Sequence, residues 1–237
     1  MTFYPAGFVP TGIIIPAFYQ GFDMNRCKFI FCGLSAFALA GPVVAGPLLV
    51  EQNFDDITTL TGSGWTRSNQ SLPLGSTNWY QGDALVFAAH SGTSDSYIAA
   101  NYNNAAPGGV IENWLISPVF STEFDTNVTF WARADVFGTF SDQLAYGYVA
   151  AAGSPVAADL FGTSVLGGAW TQYSAGLSGQ GAGSSARFAF RYFGAADTSN
   201  YIGIDTFQAR IPEPGSLALV ALAGFVLLGS RVSSKRV

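Results

Sequence analysis

Charged residues are scarce in this sequence, and positive charge is the scarcest of all. Only 11% of the residues are charged, and the formal net charge is −5. Between Gly46 and Arg210 there are thirteen acidic residues, five arginines and no lysine. Nucleic acids and anionic lipids are bound mainly through clustered lysine and arginine. The composition therefore excludes a nucleic-acid-binding protein and disfavours any partner that is recognised through positive charge.

Cysteine and histidine are nearly absent as well. The two cysteines, Cys27 and Cys32, fall in a segment that has the features of an export signal, so the mature protein would have no disulfide. A single histidine without cysteine cannot build a typical zinc site. His90 stands beside Ser91 and near Asp95, but neighbours in one turn cannot form a Ser-His-Asp triad. We interpret His90 as a solvated loop residue.

No other pattern in the sequence indicates catalysis. The G-x-S-x-G turn of serine hydrolases is missing. A glycosidase needs two converging acids, and Asp142 and Glu112 are candidates, but nothing in the sequence distinguishes them from exposed acids. The sequence therefore predicts a protein that is not an enzyme.

Residues 24–45 have the features of a secretory signal peptide. Two basic residues precede an apolar stretch, Phe29 to Ala40, which is too short to span a bilayer comfortably. The small residues that follow predict cleavage after Ala45. Residues 1–23 contain three prolines and no basic residue. We interpret them as an upstream extension from a misassigned start codon, with Met24 as the true start.

Residues 211–237 have the layout of a sorting and anchoring segment. Pro212, Glu213 and Pro214 precede an apolar run at 216–229, and the chain then ends in basic residues. As a helix the run would cover roughly 21 Å of a hydrocarbon core of roughly 30 Å, so it is a marginal anchor by itself. The cations at the end predict that this end stays in the cytoplasm and the preceding domain lies outside.

This segment resembles the PEP-CTERM sorting signal of Gram-negative bacteria. The match consists of Pro212-Glu213-Pro214, the short apolar helix and the arginine-containing end, in that order. The resemblance implies recognition by exosortase, a membrane protease-transferase. It also implies an association with exopolysaccharide, since such proteins are usually encoded near exopolysaccharide genes. An ordinary single-span tail with a proline hinge is the alternative interpretation.

Residues 46–210 read as a series of short strands. Glycine, serine, threonine, asparagine and aromatic residues dominate, and no stretch has helical periodicity with start and stop signals. The predicted strands are 48–54, 84–87, 97–101, 114–120, 126–134, 144–150, 171–175, 186–193 and 202–209. Many short strands at this spacing predict an all-β, jelly-roll-like antiparallel β-sandwich. A signal helix would precede the sandwich and a transmembrane helix would follow it.

Four blocks of this central region stand out: Asn53 to Asp56, Ser96 to Tyr102, Asn113 to Pro118 and Tyr201 to Asp205. Together they resemble the choice-of-anchor J domain. The domain pairs with different surface anchors in different bacteria and is related to cleaved-adhesin and MAM-like jelly rolls. The resemblance implies a fold and a surface location more than an activity.

Calcium is the one cofactor that the sequence suggests. Asp55 and Asp56 end the first predicted strand, and Asp205 lies in the last. The terminal strands of jelly rolls commonly pair, which would bring these carboxylates together, and calcium prefers several oxygen ligands. In the alternative interpretation, Asp55 and Asp56 cap a turn, and Asp205 pairs with an arginine such as Arg187 or Arg191.

Three functional hypotheses follow. The first is a non-enzymatic protein that the general secretion machinery exports and exosortase processes at the inner membrane. It would then reside on the cell surface or in extracellular matrix. The second is a carbohydrate-binding module for extracellular polysaccharide, in which exposed aromatic residues such as Trp79, Tyr80 or Tyr102 stack on sugar rings. The third and least favoured is a secreted hydrolase.

Overall fold

The structure, a computed structural model, describes residues 46–213. This region contains thirteen strands, which are, in chain order, β1 Leu48–Gln52, β2 Thr66–Asn69, β3 Leu72–Leu74, β4 Tyr80–Gln81, β5 Ile98–Asn101, β6 Ala105–Ile116, β7 Phe120–Ser121, β8 Thr126–Ala134, β9 Gln143–Ala150, β10 Gly162–Val165, β11 Thr171–Leu177, β12 Ser185–Ala195 and β13 Tyr201–Arg210. The predicted signal segment, Pro214 and the apolar run at 216–229 lie outside the described residues. Within 46–213, no helix has the length and apolar character needed to cross a membrane.

The strands form two sheets that pack face to face. Sheet A has the order β11-β8-β13-β5-β4, and β1 also pairs with β13. Sheet B has the order β10-β9-β12-β6-β2, with β3 on β6 and β7 on β12. All of these pairs are antiparallel. The predicted all-β antiparallel sandwich is therefore confirmed.

Alternation along the central strands selects the side chains that enter the space between the sheets. Val128, Phe130 and Ala132 of β8 are buried, while the residues between them are partly exposed. Phe188 and Phe190 of β12 meet them from sheet B, and the ring centroids of Phe130 and Phe190 are 4.8 Å apart at 84°. An edge-to-face pair of this kind adds about 0.5–1.5 kcal/mol beyond the burial of its area.

Most predicted strands are present, but β6 is longer than predicted. It runs unbroken from Ala105 to Ile116, through Pro107-Gly108-Gly109, although proline and glycine ordinarily favour turns. β12 pairs with β6 only as far as Val110, so the missing N–H of Pro107 removes no bond from that ladder. Gly108 adopts a φ of 74°, which a glycine tolerates without strain.

Residues 82–96 form a long loop, here called the covering loop, on the outer face of sheet A. The prediction of a strand at 84–87 is wrong, because these residues form a turn and no strand. Phe87 is the anchor of the loop: it is 7% exposed and packs against Tyr97, Trp170 and Tyr201. The indole Nε1 of Trp170 also donates to the Ala88 carbonyl at 2.9 Å.

The chain enters and leaves the sandwich at one end, here called the exit end. β1 pairs with the second half of β13, which confirms the predicted pairing of the terminal strands. Just beyond them, the Ile211 N–H donates to the Pro47 carbonyl at 3.0 Å. β13 starts at Tyr201, at the opposite end of the sandwich, here called the far end. At about 3.3 Å per residue along β13, the exit end and the far end are roughly 30 Å apart.

Candidate functional site

A groove opens at the far end, where three connections meet. A 3₁₀ turn at Tyr102–Asn104 follows β5, another at Ala196–Thr198 follows β12, and residues 135–142 join β8 to β9. The groove has a volume of about 470 Å³, which lies in the range of small-ligand sites. Its lining includes Tyr102, Asn103, Phe140, Asp197, Ser199 and Asn200.

Asn200 holds the three connections together. Its backbone N–H donates to Asp142 Oδ1 at 2.8 Å, and its side-chain Nδ2 donates to the Asp135 carbonyl at 2.8 Å. Its own carbonyl accepts from the Tyr102 N–H at 2.9 Å. Asn101 caps the turn that carries Tyr102, since its Oδ1 accepts from the Asn103 N–H. The floor of the groove is therefore fixed by hydrogen bonds from several segments.

Asp142 belongs to this floor and is buried beneath the groove. The Tyr192 hydroxyl donates to its Oδ1 at 2.6 Å. Burial raises the pKa of Asp142, and burial together with this carboxylate raises the pKa of Tyr192 well above its usual value. Glu112 lies instead on the outer face of sheet B, where it pairs with Arg191 and accepts from Trp114 Nε1. Asp142 and Glu112 therefore do not converge in one cleft.

Two aromatic side chains that line the groove are exposed to solvent. Tyr102 is 46% exposed and Phe140 is 38% exposed. The prediction for Trp79 is wrong, because Trp79 is 2% exposed and lies in the core, and Tyr80 is partly buried against core clusters. Sequence reasoning missed Phe140, although an aromatic residue in a glycine-containing polar loop is a usable signal.

The predicted metal ligand Asp205 is buried in β13, on the outer side of sheet A under the covering loop. Its Oδ2 accepts from the Ser91 N–H at 3.0 Å, and its Oδ1 accepts from the Thr206 N–H at 2.6 Å. Burial raises the pKa of Asp205. Neither arginine named as a partner reaches it: Arg191 pairs with Glu112, and Arg187 donates to backbone carbonyls. That part of the alternative interpretation is wrong.

The structure brings Asp55, but not Asp56, toward the same turn of the covering loop. An ideal Cβ built on Gly92 would lie 2.8 Å from Asp55 Oδ1, so Gly92, with its φ of 84°, allows this close approach. Asp56 instead caps the 3₁₀ turn at Ile57–Thr59, accepting from the Thr58 N–H and hydroxyl. These bonds lower the pKa of Asp56. Asp55 and Asp205 therefore flank the Ser91–Gly92 turn.

The residues next to these two aspartates have unusual backbone angles. Phe54 has a φ of 54° and Thr206 a φ of 50°, in a region that non-glycine residues rarely adopt. The register between β13 and β8 shifts between Asp205 and Gln208. Such strain costs of order 1–3 kcal/mol per residue and tends to persist at functional sites.

His90 also lies beside Thr206 and the Ser91–Gly92 turn, and it is not a solvated loop residue. Its ring stacks on Trp131 with centroids 3.8 Å apart, and its Nδ1 is 3.1 Å from Thr206 Oγ1. The sequence interpretation of His90 is therefore wrong, because it did not anticipate that the covering loop packs on sheet A. Across residues 46–213, no three His, Cys, Asp or Glu side chains form a group that could hold a metal ion. A cation between Asp55 and Asp205 would need backbone carbonyls or water as further ligands, which calcium accepts.

Neither a protein-family model nor a curated protein matches this sequence. Among solved structures, the K3 cleaved adhesin domain of Lys-gingipain from Porphyromonas gingivalis is 19% identical, with a TM-score of 0.51, and the alignment covers 69% of this chain and 98% of that domain. The K1 cleaved adhesin domain of the same protein is 18% identical, with a TM-score of 0.49 and coverages of 70% and 100%. The CBM22-1 xylan-binding domain of Paenibacillus barcinonensis Xyn10C is 16% identical, with a TM-score of 0.44 and coverages of 72% and 97%. The likeness to the K3 domain supports the β-sandwich fold.

Proposed function

We propose that this chain is an exported, non-enzymatic protein of the cell surface or extracellular matrix of a Gram-negative bacterium. In this proposal its sandwich is a jelly roll of the choice-of-anchor J type, and exosortase recognises the PEP-CTERM segment that follows. The position of the motif supports the proposal. β13 ends at Arg210, and Pro212 and Glu213 are exposed immediately after it. A membrane protease would reach this sequence without unfolding the sandwich.

The intact mass of the protein from its native cell, in membrane and medium fractions, tests this proposal. A mass that begins after Ala45 and ends near Pro212 is expected. Replacing Pro212 and Glu213 together with alanine should leave the full-length C-terminus in the membrane. Pro47→Ala, at the same end of the sandwich, is the matched control and should be processed normally. A wild-type protein found only with its full C-terminus in membranes would refute sorting by exosortase.

We further propose that the groove at the far end binds extracellular polysaccharide. The observation that carries this is the pairing of two exposed aromatic side chains, Tyr102 and Phe140, with the polar side chains of Asn103 and Asn200 in one groove. Aromatic faces stack on the apolar faces of sugar rings, and amides bond to sugar hydroxyls. The groove lies at the end opposite the chain's exit, so an anchored domain would present it outward.

Binding of the full-length chain in detergent to a glycan array, followed by calorimetry with the best ligand, tests this function. Tyr102→Ala and Phe140→Ala should each weaken binding by about five- to tenfold, because each removes one stacking face. Phe124→Ala is the matched control: Phe124 is 59% exposed but lies in the β7–β8 connection at the exit end. If all three variants bind as the wild type does, the groove is not the sugar site.

Calcium binding at Asp205 and Asp55 is a separate part of the proposal. The observation that supports it is a buried carboxylate with no cationic side chain beside it, since the one ion pair among the described residues joins Arg191 to Glu112. A buried charge without a partner is costly, and a cation bound from solution would offset that cost. Asp55, on the other side of the Ser91–Gly92 turn, supplies a second carboxylate.

Thermal unfolding with calcium and with chelator tests this site. At a calcium concentration 100 times the dissociation constant, binding adds about 2.7 kcal/mol, which corresponds to roughly 5–10 °C in Tm. Asp205→Asn should abolish the calcium-dependent rise in Tm. Asp56→Asn should keep it, because Asp56 serves as a cap. A Tm that is the same in calcium and chelator would refute the site.

A further inference from the structure

We propose that the far-end groove selects amino sugars that carry a free ammonium group over neutral, N-acetylated or acidic sugars. This inference rests on the proposed polysaccharide-binding function and names the chemical class of its ligand. It follows from the charges around Tyr102 and Phe140, and from the hydrogen-bonding groups that the groove leaves available.

Asp197 supplies a carboxylate to the groove. It is exposed, and its Oδ1 accepts from the Gly108 N–H at 2.9 Å, which fixes the side chain at the rim. Among residues 46–213, no hydrogen bond occupies its Oδ2. Asn200 uses its Nδ2 on Asp135, so the oxygen of its side chain is left as an acceptor. The groove therefore offers two side-chain acceptors, Asp197 Oδ2 and Asn200 Oδ1, to a ligand group that donates hydrogen bonds.

No cationic side chain lines this groove. Residues 46–213 contain no lysine, and each of the five arginines is engaged elsewhere. Their contacts are Arg67 with the Trp79 carbonyl, Arg133 with the Phe87 ring, Arg187 with the Ala150 carbonyl, Arg191 with Glu112, and Arg210 with Gln208. A uronic acid would therefore meet Asp197 without any compensating positive charge.

The aromatic side chains reinforce this preference. Contact with the face of Tyr102 or Phe140 should strengthen the binding of an ammonium group about two- to fivefold, and an exposed carboxylate partner should add up to about fivefold. A hydroxyl or an N-acetyl group at the same carbon has no positive charge and gains neither. Combining an aromatic face with a carboxylate, in the absence of cations, therefore discriminates by charge at one position of the sugar.

Three oligosaccharides that differ only at carbon 2 test the inference. Calorimetry on the full-length chain in detergent would compare β-1,4-linked tetramers of glucose, N-acetylglucosamine and glucosamine. The glucosamine tetramer should bind about tenfold more tightly than the other two at low salt. The advantage should shrink as salt is added, because exposed charges are screened.

Asp197→Asn should reduce the glucosamine advantage from about tenfold to about two- to fivefold, because only the contribution of the aromatic ring to ammonium binding remains. Asp125→Asn is the matched control, because Asp125 is also exposed and also accepts one backbone N–H, from Gly179, but lies at the exit end. It should keep the full advantage. Equal advantage in the wild type and in Asp197→Asn would mean that the net negative charge of the domain attracts the ligand, and would overturn the inference.

If the wild type binds the three tetramers with equal affinity and Tyr102→Ala abolishes that binding, this inference is overturned while the polysaccharide-binding function stands. If none of the tetramers or array glycans binds in a way that depends on Tyr102, both proposals fail. Tighter binding of an acidic oligosaccharide than of glucosamine would contradict the charge argument directly.

Discussion

Replacing Phe87 with alanine should release the covering loop from sheet A. The ring of Phe87 stacks on Tyr97 with centroids 5.0 Å apart and meets Trp170 and Tyr201 edge-on at 5.6 and 5.3 Å. The guanidinium carbon of Arg133 lies 4.0 Å from its centroid. Alanine removes all of these contacts at once, and they are the main apolar attachment of a loop that has no strand of its own.

The expected loss of stability is about 3 kcal/mol. Replacing a fully buried phenylalanine with alanine costs about 3–5 kcal/mol, and the lower value applies because a surface loop can move and admit water. Water that reaches Arg133 offsets part of the loss, since burial lowers the pKa of Arg133 and thus disfavours its charge. For a domain of this size, about 3 kcal/mol corresponds to a fall in Tm of roughly 6–12 °C.

Leu85→Ala is the matched control within the same loop. Leu85 is 95% exposed, so its truncation should change stability by less than about 0.5 kcal/mol. Calorimetry gives the Tm of each variant, and tryptophan emission reports exposure of Trp170. Hydrogen exchange should show lost protection at the Ser91 N–H, which donates to Asp205. Equal Tm shifts for the two variants, or unchanged protection at Ser91 in Phe87→Ala, would refute this account of the loop.

Two further predictions follow from the packing and from the buried acids. Gly203→Ala should lower the free energy of unfolding in urea by about 1–3 kcal/mol, because the Cβ of the new alanine would lie 2.8 Å from the Tyr97 ring. Gly176→Ala is the control and should be neutral or stabilising, because its Cβ would meet nothing within 4 Å. Equal effects of the two substitutions would contradict the packing around Gly203. The raised pKa of Asp142 means that the folded state holds this proton more tightly than the unfolded state, so its contribution to stability falls as pH rises above the usual value of 3.8. The stability of Asp142→Asn relative to the wild type should therefore increase as pH rises from 4 toward 7, and a pH-independent difference would mean that burial does not raise this pKa.

Local patterns in the sequence were sufficient to predict the long strands in which buried residues alternate with partly exposed ones. β8 has the predicted bounds, 126–134, because its buried and partly exposed residues alternate along the whole strand. In β12, aromatic residues alternate with arginines from Arg187 to Tyr192, and Phe188, Phe190 and Tyr192 lie in the core. β2, β3, β4 and β10 were missed because they have two to four residues, too few to show a period.

The candidate sites were predicted only in part. Asp205 and the pairing of the terminal strands were found because an acid in the last strand and an acid after the first are visible in the sequence. Trp79 was predicted to be exposed and is buried, since composition does not reveal which aromatic residues the core needs. Phe140 was missed because its role depends on Tyr102, a neighbour across the groove that lies far away in the chain.

The sequence by itself determined the all-β class, the poverty in positive charge and the alternating faces of the long strands, because each of these depends on residues that are adjacent in the chain. Only the tertiary structure decided that the covering loop packs on sheet A and that Asp142 is buried beneath a groove. The bond from Ser91 to Asp205 joins positions 114 residues apart. Contacts of this kind depend on which strands pair and on which loop packs against which face of a sheet. A local sequence pattern holds no information about either.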